Sequence, residues 1–276
     1  MSAVLTIAGK ELREGLRNRW IIATTLLLAG LALTLSFLGS APTGTVRASP
    51  LDVIVVSLSS LTIFLVPLIA LLLSHDAIVG ERERGTLLLL LSYPVGRGQV
   101  ILGKFLGHVV ILAIATAVGY GAAGLALALG DEAAGAAGWR AFSVMIGSSV
   151  LLGAAFLAIG YAASTLVRDR GTAAGIAIGA WLLFVLIYDM ALLGLLVADQ
   201  GRRITAETLN LLLLLNPTDV YRLLNFSSSA DVSLFAGMAG LSRSATLSLG
   251  ALLAAMALWI ALPLGLAASL LKRRDV

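Results

Sequence analysis

The sequence contains no cysteine and few charged residues for a chain of 276 residues. Without cysteine, the chain has no disulfide, no thiolate metal ligand and no cysteine nucleophile. Asp, Glu, Lys and Arg make up only 12% of the residues, against about 25% in soluble domains, and hydrophobic residues make up 59%. This composition is typical of a polytopic membrane protein.

Common catalytic motifs are also absent. The sequence has no HExxH zinc motif and no serine in a Gly-x-Ser-x-Gly turn. His75 adjoins Asp76, but neighbouring side chains point in different directions on a helix, so this pair is a poor metal clamp. We interpret His75 and His108 as interfacial residues and predict no metal site. An intramembrane enzyme is therefore the least favoured function.

Residues 98–104, Gly-Gln-Val-Ile-Leu-Gly-Lys, satisfy most of a phosphate-binding loop pattern. Phe105 follows where a Ser or Thr would bind magnesium, and no strand is evident before the segment. We therefore expect no nucleotide to bind here. If the protein uses ATP, another subunit must bind it.

Six apolar segments are long enough to cross a bilayer. A spanning helix needs about 20 residues, since each adds about 1.5 Å across a hydrocarbon layer about 30 Å thick. The segments cover residues 20–39, 53–74, 105–130, 141–167, 171–198 and 244–271. Because no water satisfies backbone groups in the bilayer, each must be helical. The sequence predicts an all-α membrane protein with a six-helix transmembrane domain over residues 20–276. Two shorter runs, 86–96 and 209–215, are expected to form interfacial or buried short helices.

Residues 1–19 have the pattern of an amphipathic helix. Leu5, Ala8, Leu12 and Leu16 recur at helical spacing, and charged residues occupy the remaining face. We expect this helix to lie in the headgroup plane against membrane lipid. The alternative is a solvated helix that merely precedes a span.

The 19 Lys and Arg residues divide unevenly between the two sides of this arrangement. Thirteen lie on the side of both termini and of the connections that contain residues 82–104 and 168–170, and six lie on the other side. The richer side is expected to be cytoplasmic, which places both termini there. Because the basic residues are scattered and form no stripe, we expect no nucleic-acid partner.

The first cytoplasmic connection, residues 75–104, alternates polar and apolar stretches. The Glu-Arg-Glu-Arg run at 81–84 cannot remain in hydrocarbon and should hold this segment at the surface. Gly85 is expected to end or bend the preceding helix, and Pro94 with the glycines that follow it should break the chain again. This pattern suits a docking lever, although an ordinary polar loop with an interfacial helix is the alternative.

Asp189 is an ionisable residue in the outer half of the fifth predicted span. A buried carboxylate is costly, so it indicates a polar site inside the membrane that acts by pairing, proton relay or lining a cavity. The alternative is a water-exposed residue near the outer end.

Gly171, Gly175 and Gly179 repeat every four residues on the same span. Small residues at this spacing let another helix approach closely, either within one chain or across a dimer.

The outer connection at residues 199–243 is large enough to form its own structure. Thr205 can cap a helix that ends near Leu215, the Asn216-Pro217 pair interrupts it, and a second helix can follow from Thr218. The leucines at 211–215 cannot face water on all sides, so they dip into the outer interface, pack on neighbouring loops or meet a partner. The candidate contacts for a periplasmic partner are Leu211, Leu212, Asn216, Thr218, Asp219 and Tyr221.

These features together resemble a known family over essentially the whole chain. The start GKELREGLRNRW, the segment DAIVGERERGTLLLLLSYPVGRGQVILGKFLG, the six spans and the large last outer loop resemble ABC transporter permeases of the type 2 exporter class. The string GERERGTLLLLLSYPVGRGQ is most similar to the membrane subunits of nitrous oxide reductase maturation systems.

The resemblance implies partners and a coupling site. Permeases of this class act as dimers, so a second copy of the chain is expected, and each copy contacts a cytoplasmic ATPase, here NosF-like, through a coupling helix. ATP and Mg are bound by that ATPase, and no cofactor is expected in this chain. The coupling helix corresponds to residues 77–91. Its expected contacts are Gly80, Glu81, Arg82, Glu83, Gly85 and Thr86.

The narrower resemblance implies a periplasmic β-helix partner, NosD-like, and a location in the bacterial inner membrane. It implies a role in denitrification, in assembly of the copper–sulfur centre of nitrous oxide reductase. Since the sequence has no evident series of copper ligands, we hypothesise that the bundle transmits ATP-driven motion, with transport as the other mode. The alternative is an ABC exporter permease for a lipid, drug or sulfur compound.

Overall fold

The computed structural model describes residues 2–17, 19–39, 50–129, 135–200, 202–226 and 247–273. These residues form α-helices and one π-helical turn, without a strand among them, which confirms the all-α prediction. The helices are α1 (Ala3–Leu16), α2 (Arg19–Gly39), α3 (Pro50–Ser74), α4 (Val79–Glu83), α5 (Thr86–Leu91), α6 (Arg97–Ala128), α7 (Ala136–Leu166), α8 (Arg170–Leu182), α9 (Tyr188–Asp199), α10 (Ala206–Leu214), α11 (Pro217–Phe226) and α12 (Leu249–Arg273). The π-helical turn, Leu183–Ile187, joins α8 to α9.

Five or six helical segments could cross a membrane. Five qualify individually by length and hydropathy, at 54–83, 97–126, 138–166, 170–199 and 249–273. A sixth is counted when α1 and α2 are taken as one broken segment, whose parts are bent by 67°. The chain is therefore a helical protein with several candidate spans, and the cytoplasmic location of its termini stays a prediction.

Helix α7 is the centre of the bundle. It packs against α3, α6, α8, α11 and α12, and its buried residues Phe156, Leu157 and Tyr161 belong to the largest apolar core. Two of its glycines make close packing possible. A Cβ at Gly160 would overlap the hydroxyl of Ser74, and a Cβ at Gly153 would overlap Leu112, because α3 and α6 approach α7 directly at these points.

Helix α1 lies against the first half of α6. Ile7 and Glu11 are buried, and they pack on Gly103 and Gly107 of α6, where an added Cβ would lie 2.8 Å from the Cβ of Ile7 or 2.6 Å from that of Glu11. The apolar stripe found in the sequence faces elsewhere, since Leu5 remains 57% exposed. The predicted amphipathic helix therefore has a second buried face, and its position in the headgroup plane stays a prediction.

Helix α6 begins earlier than the hydropathy pattern predicts. It starts at Arg97, eight residues before the predicted boundary at Phe105. The side chain of Gln99 accepts a hydrogen bond from the backbone N–H of Gly96 at 3.0 Å, which satisfies a free donor at this end of the helix. Residues 98–104 are thus helical rather than a phosphate-binding loop.

The outer helices follow the predicted pattern of cap, helix, break and helix. The hydroxyl of Thr205 accepts from the N–H of Thr208 at 3.2 Å, α10 ends at Leu214, and α11 starts at Pro217. Residues 227–243 of the predicted outer loop, and the predicted start of the last span at Ser244, lie outside the described residues.

Candidate coupling site

The candidate coupling segment, residues 77–91, consists of α4, a left-handed turn and α5. Gly85 has a φ of 72°, a conformation that glycine adopts without steric cost, and it separates the two short helices as predicted. Leu87 is buried, whereas Leu88 and Leu89 are 55% and 67% exposed. The segment therefore has one side fixed in the protein and one apolar side available for contact.

Helix α4 is attached to the core helix α7 through Ser164. The Ser164 hydroxyl accepts hydrogen bonds from the backbone N–H groups of Ile78 and Val79, both at 3.0 Å. These donors belong to the start of α4, where no carbonyl within the helix can accept from them. Because Ser164 is buried, water does not compete for these two hydrogen bonds, and they hold the start of α4 against α7.

Lys104 connects α4, α6 and α1 in one buried ion cluster. Its ammonium lies 2.7 Å from a carboxylate oxygen of Glu11 and 2.7 Å from one of Glu81, and its side chain is only 4% exposed. Buried charges are tolerated when they are paired and hydrogen-bonded, as here. The other oxygen of Glu81 is buried and has no hydrogen-bond partner among the described residues.

His108 extends this cluster toward α7. Its Nδ1 lies 2.8 Å from the Tyr161 hydroxyl, and its Nε2 lies 3.5 Å from Glu11. The interpretation of His108 as an interfacial residue is wrong, because the ring is buried between helices. Lys104 and His108 are four residues apart and share one helix face, which was a signal of this cluster, but no local pattern indicated that Glu11 is their partner.

A second ion pair joins the end of α4 to the start of α8. The carboxylate of Glu83 accepts from the side chain of Arg170 at 2.5 Å and from its backbone N–H at 2.9 Å. Asp169 caps α8 by accepting from the N–H of Thr172 at 2.7 Å, and these hydrogen bonds from Thr172 lower the pKa of Asp169. The connection between α3 and α6 and the connection between α7 and α8 thus form one surface.

The six residues predicted to contact the ATPase differ in how exposed they are. Gly80 is buried, and Glu81 and Arg82 are half-buried, with Arg82 donating to the carbonyl of Val167. Glu83, Gly85 and Thr86 are exposed, and these three remain available to a partner. The buried residues of the segment therefore contact the neighbouring helices, whereas its exposed residues lie on the surface that a partner could contact.

On the outer side, Asp189 is paired rather than isolated. Its carboxylate lies 2.5 Å from a guanidinium nitrogen of Arg222, and the same guanidinium lies 2.6 Å from Asp219. Burial raises the pKa of Asp219 to about 6, although the charge of Arg222 acts in the opposite direction. The sequence analysis had placed Arg222 among the scattered basic residues and did not predict this pairing.

The π-helical turn Leu183–Ile187 supplies the attachment point for the outer helices. The Phe184 carbonyl accepts from the Asn216 amide at 3.0 Å and from the Thr218 hydroxyl at 3.1 Å. Tyr188 adds a hydrogen bond to the carbonyl of Leu212 at 2.6 Å. Such turns are rare and occur frequently at functional sites. The junction of α10 and α11 is therefore bound to the middle of the fifth span.

Most of the residues predicted to contact a periplasmic partner are buried, which corrects that prediction. Four of them, Asn216, Thr218, Asp219 and Tyr221, are at most 4% exposed and pack inside the bundle, because their polar groups bond to the fifth span and to one another. Leu212 is half-buried, and Leu211 is 64% exposed. Of the six predicted contacts, the two on α10 therefore remain accessible to a partner.

The glycine strip on α8 has no packing partner in the described part of the chain. A Cβ at Gly175 or Gly179 would meet no atom within 4 Å, and one at Gly171 would meet only Asp169, at 3.3 Å. Close packing of this strip within the chain is not observed among the described residues. Of the two predicted alternatives, contact with a second copy stays open.

The described residues contain no group of three or more His, Cys, Asp or Glu side chains placed to hold a metal ion. The side chains of the coupling site are instead paired with one another. Their arrangement suits the transmission of force between helices.

Comparison with known proteins agrees with this geometry. Residues 5–276 match the family model described as ABC-2 family transporter protein. A protein of Pseudomonas aeruginosa named "Probable ABC transporter permease protein NosY" is 50% identical over 277 residues, which cover all of both chains. A protein of Stutzerimonas stutzeri with the same name is 47% identical over 276 residues, 99% of each chain. The chain belongs to the ABC-2 family of transporter permeases.

Proposed function

We propose that this permease couples ATP hydrolysis by a NosF-like cytoplasmic ATPase to assembly of the copper–sulfur centre of nitrous oxide reductase in the periplasm. Similarity over the full length to two permeases named NosY supports the proposal. The chain would work as a dimer in the bacterial inner membrane and would itself be non-catalytic. ATP and Mg would be bound by the ATPase.

The buried ion cluster is the observation that carries the coupling role. Lys104 joins Glu81 of the coupling segment to Glu11 of α1, while Ser164 joins the start of the same segment to α7. Breaking a buried pair leaves an uncompensated charge in a region of low dielectric constant. A push on α4 would therefore move α1, α6 and α7 together instead of separating them.

The fifth span offers a route from the coupling surface to the outer side. It begins at Arg170, which is paired with Glu83, and it holds α10 and α11 through Phe184, Tyr188 and Asp189. Movement of this span would carry the exposed face of α10, including Leu211, against a NosD-like partner. The open strip at Gly171, Gly175 and Gly179 would let the two copies of the span approach each other.

A charge exchange tests the ATPase contact. Glu83→Arg should reduce both the stability of the α4–α8 contact and stimulation of the ATPase. Combining it with Arg170→Glu should restore stability, because the ion pair is reformed with reversed charges, but should not restore stimulation of the ATPase. Thermal unfolding and ATPase assays on the co-purified complex measure the two effects separately. Recovery of the permease without any ATPase in mild detergent would contradict the proposal.

Export of a lipid, drug or sulfur compound is a second candidate function. It is favoured by a cavity of about 410 Å³ between α2, α3 and α6, lined by apolar residues that include Ile69, Leu112 and Ala115. An exporter should accumulate cargo in inverted vesicles when ATP is added. A mechanical transmitter should show ATP-dependent movement of a spin-labelled periplasmic partner, without accumulation of cargo.

A further inference from the structure

Two adjoining cavities open near the cytoplasmic ends of α2, α3 and α6. The apolar cavity, of about 410 Å³, and a polar cavity of about 230 Å³ share Ile21, Leu73, Asp76 and Ile111 in their walls. Together they have the size of a ligand site. We refer to them as the amphipathic groove.

The polar end of the groove has an excess of acidic groups. Its walls contain Glu11, Glu14, Asp76 and Glu81, opposed by the cations of Lys104 and Arg84. Lys104 is already placed between two of the carboxylates, yet the second oxygen of Glu81 is buried without a hydrogen-bond partner among the described residues. An unpaired buried acceptor is costly, and a cationic donor would satisfy it.

The apolar end has an exposed apolar residue at its mouth and a buried floor. Leu72 in its wall is 53% exposed, whereas Leu112 and Ala115 form a buried floor on α6. A soluble amine would leave this end unfilled, and a hydrocarbon would leave the acidic end unpaired. An amphiphile with a polar headgroup and acyl chains matches both ends.

We propose that the amphipathic groove binds a phospholipid with a primary-amine headgroup, a phosphatidylethanolamine, from the adjacent leaflet. A primary ammonium offers three donors for the carboxylates in the walls of the polar end, Glu81 among them, while a quaternary choline offers none. The exposed Arg84 is placed to balance the phosphate. An anionic headgroup without an amine would add negative charge beside the four carboxylates.

A bound lipid would contact both the coupling segment and the first span. Its headgroup would meet Glu81 on α4, and its acyl chains would lie between Ile21 of α2 and Leu72 of α3. The lipid would fill the space between these elements and stiffen the junction that the ion cluster holds. The proposal takes from the proposed function only the location of α4 at the cytoplasmic surface.

The test uses the delipidated permease, purified with its partner ATPase, and short-chain phosphatidylethanolamine, phosphatidylcholine and phosphatidylglycerol. Thermal shift and native mass spectrometry measure binding of each lipid. Phosphatidylethanolamine should bind about tenfold more tightly than phosphatidylglycerol, the size of one charge-assisted hydrogen bond. Glu81→Gln should remove the preference for phosphatidylethanolamine over phosphatidylcholine and keep binding of the acyl chains.

Filling the groove should block binding. Ala115→Phe should weaken phosphatidylethanolamine binding by about tenfold or more, whereas Val118→Phe, at a 57% exposed position on the same helix and outside the groove, should not change it. If Ala115→Phe fails to fold, Leu72→Trp at the mouth replaces it. Equal binding of all three lipids, or equal effects of filling and control variants, would overturn the proposal. The same lipid titration can be made on the permease alone if no ATPase co-purifies, so the two proposals fail separately.

Discussion

Glu11 and Lys104, 93 residues apart in the sequence, form a buried ion pair with 2.7 Å between carboxylate and ammonium. The pair crosses from the N-terminal helix to α6, and Glu81 completes it from the coupling segment. Helix α1 is therefore part of the buried ion cluster as well as a candidate membrane anchor. Its amphipathic stripe and its ionic face serve different neighbours.

Lys104→Met should destabilise the protein by about 3 to 5 kcal/mol, because it leaves Glu11 and Glu81 buried without a counter-ion. Lys10→Met is the matched control, since Lys10 is 54% exposed and should contribute less than about 1 kcal/mol. Chemical denaturation in detergent measures both variants. Equal stabilities would show that the cluster contributes nothing to folding.

Asn216→Ala should destabilise the outer helices by about 1 to 3 kcal/mol. It removes the hydrogen bonds to the Phe184 carbonyl and to Asp219, and it leaves one Asp219 oxygen and the N–H of Thr218 without their partner. Asn210→Ala on the neighbouring helix should cost less, because the Asn210 side-chain oxygen accepts no hydrogen bond among the described residues. Hydrogen exchange of residues 206–226 locates the effect; unchanged protection in Asn216→Ala would contradict it.

The raised pKa of Asp219 predicts that the stability of the protein depends on pH. Its folded pKa of about 6 lies above the ordinary value of 3.8, so the native state binds more protons than the unfolded state between these values. This stabilisation is fully present below about pH 4 and is lost as the pH rises through 6. The difference should be on the order of 1 to 3 kcal/mol. Burial is the main cause of the raised pKa, and the charge of Asp189 adds to it, whereas Arg222 and the hydrogen bond from Asn216 act in the opposite direction.

Thermal unfolding from pH 4 to pH 7 tests this dependence. The stability of the wild type relative to Asp219→Asn should fall over that range. Asp169→Asn is the control without a pH dependence in this range: hydrogen bonds from Thr172 lower the pKa of Asp169 below its ordinary value, so its contribution is complete above about pH 4 and is lost only at lower pH. A wild-type curve parallel to that of Asp219→Asn would refute the raised pKa.

Gly160→Ala should destabilise the bundle by about 1 to 3 kcal/mol, since the new methyl group would overlap the hydroxyl of Ser74. The pair Gly160→Ala with Ser74→Ala should recover part of the loss. Gly147→Ala on the same helix meets nothing within 4 Å and should be neutral or stabilising by up to about 1 kcal/mol. Melting temperatures of the three variants and the wild type test this, and a neutral Gly160→Ala would exclude close packing there.

Helix positions and breaks were largely predictable from local chemistry. Thr205 and Pro217 marked the starts of the two outer helices, and Gly85 marked the turn between α4 and α5. The start of α6 was predicted too late, because hydropathy marks where hydrocarbon begins and a helix can extend beyond it with Arg97 and Lys104 included. Hydropathy therefore located the span but missed its polar first turns.

Burial of the polar residues was less predictable. In the sequence, Asp219 and Tyr221 look like surface residues of an outer loop. Both are buried, however, because α11, which carries them, packs against α7. Asp189 was recognised as unusual from its place in an apolar segment, but its partner Arg222 lies 33 residues away. No local pattern distinguishes an arginine that neutralises a buried carboxylate from one that faces water.

The sequence by itself determined the class of protein, the number and approximate limits of its apolar helices, and its resemblance to a permease family. These follow from hydrophobicity, helix caps and breaks, which act over a few residues. Only the tertiary structure decided that Lys104 joins Glu11 and Glu81, that Phe184 accepts from Asn216 and Thr218, and that an amphipathic groove lies beside α2. Such contacts depend on which helix faces meet, and that is decided by packing between residues far apart in the chain.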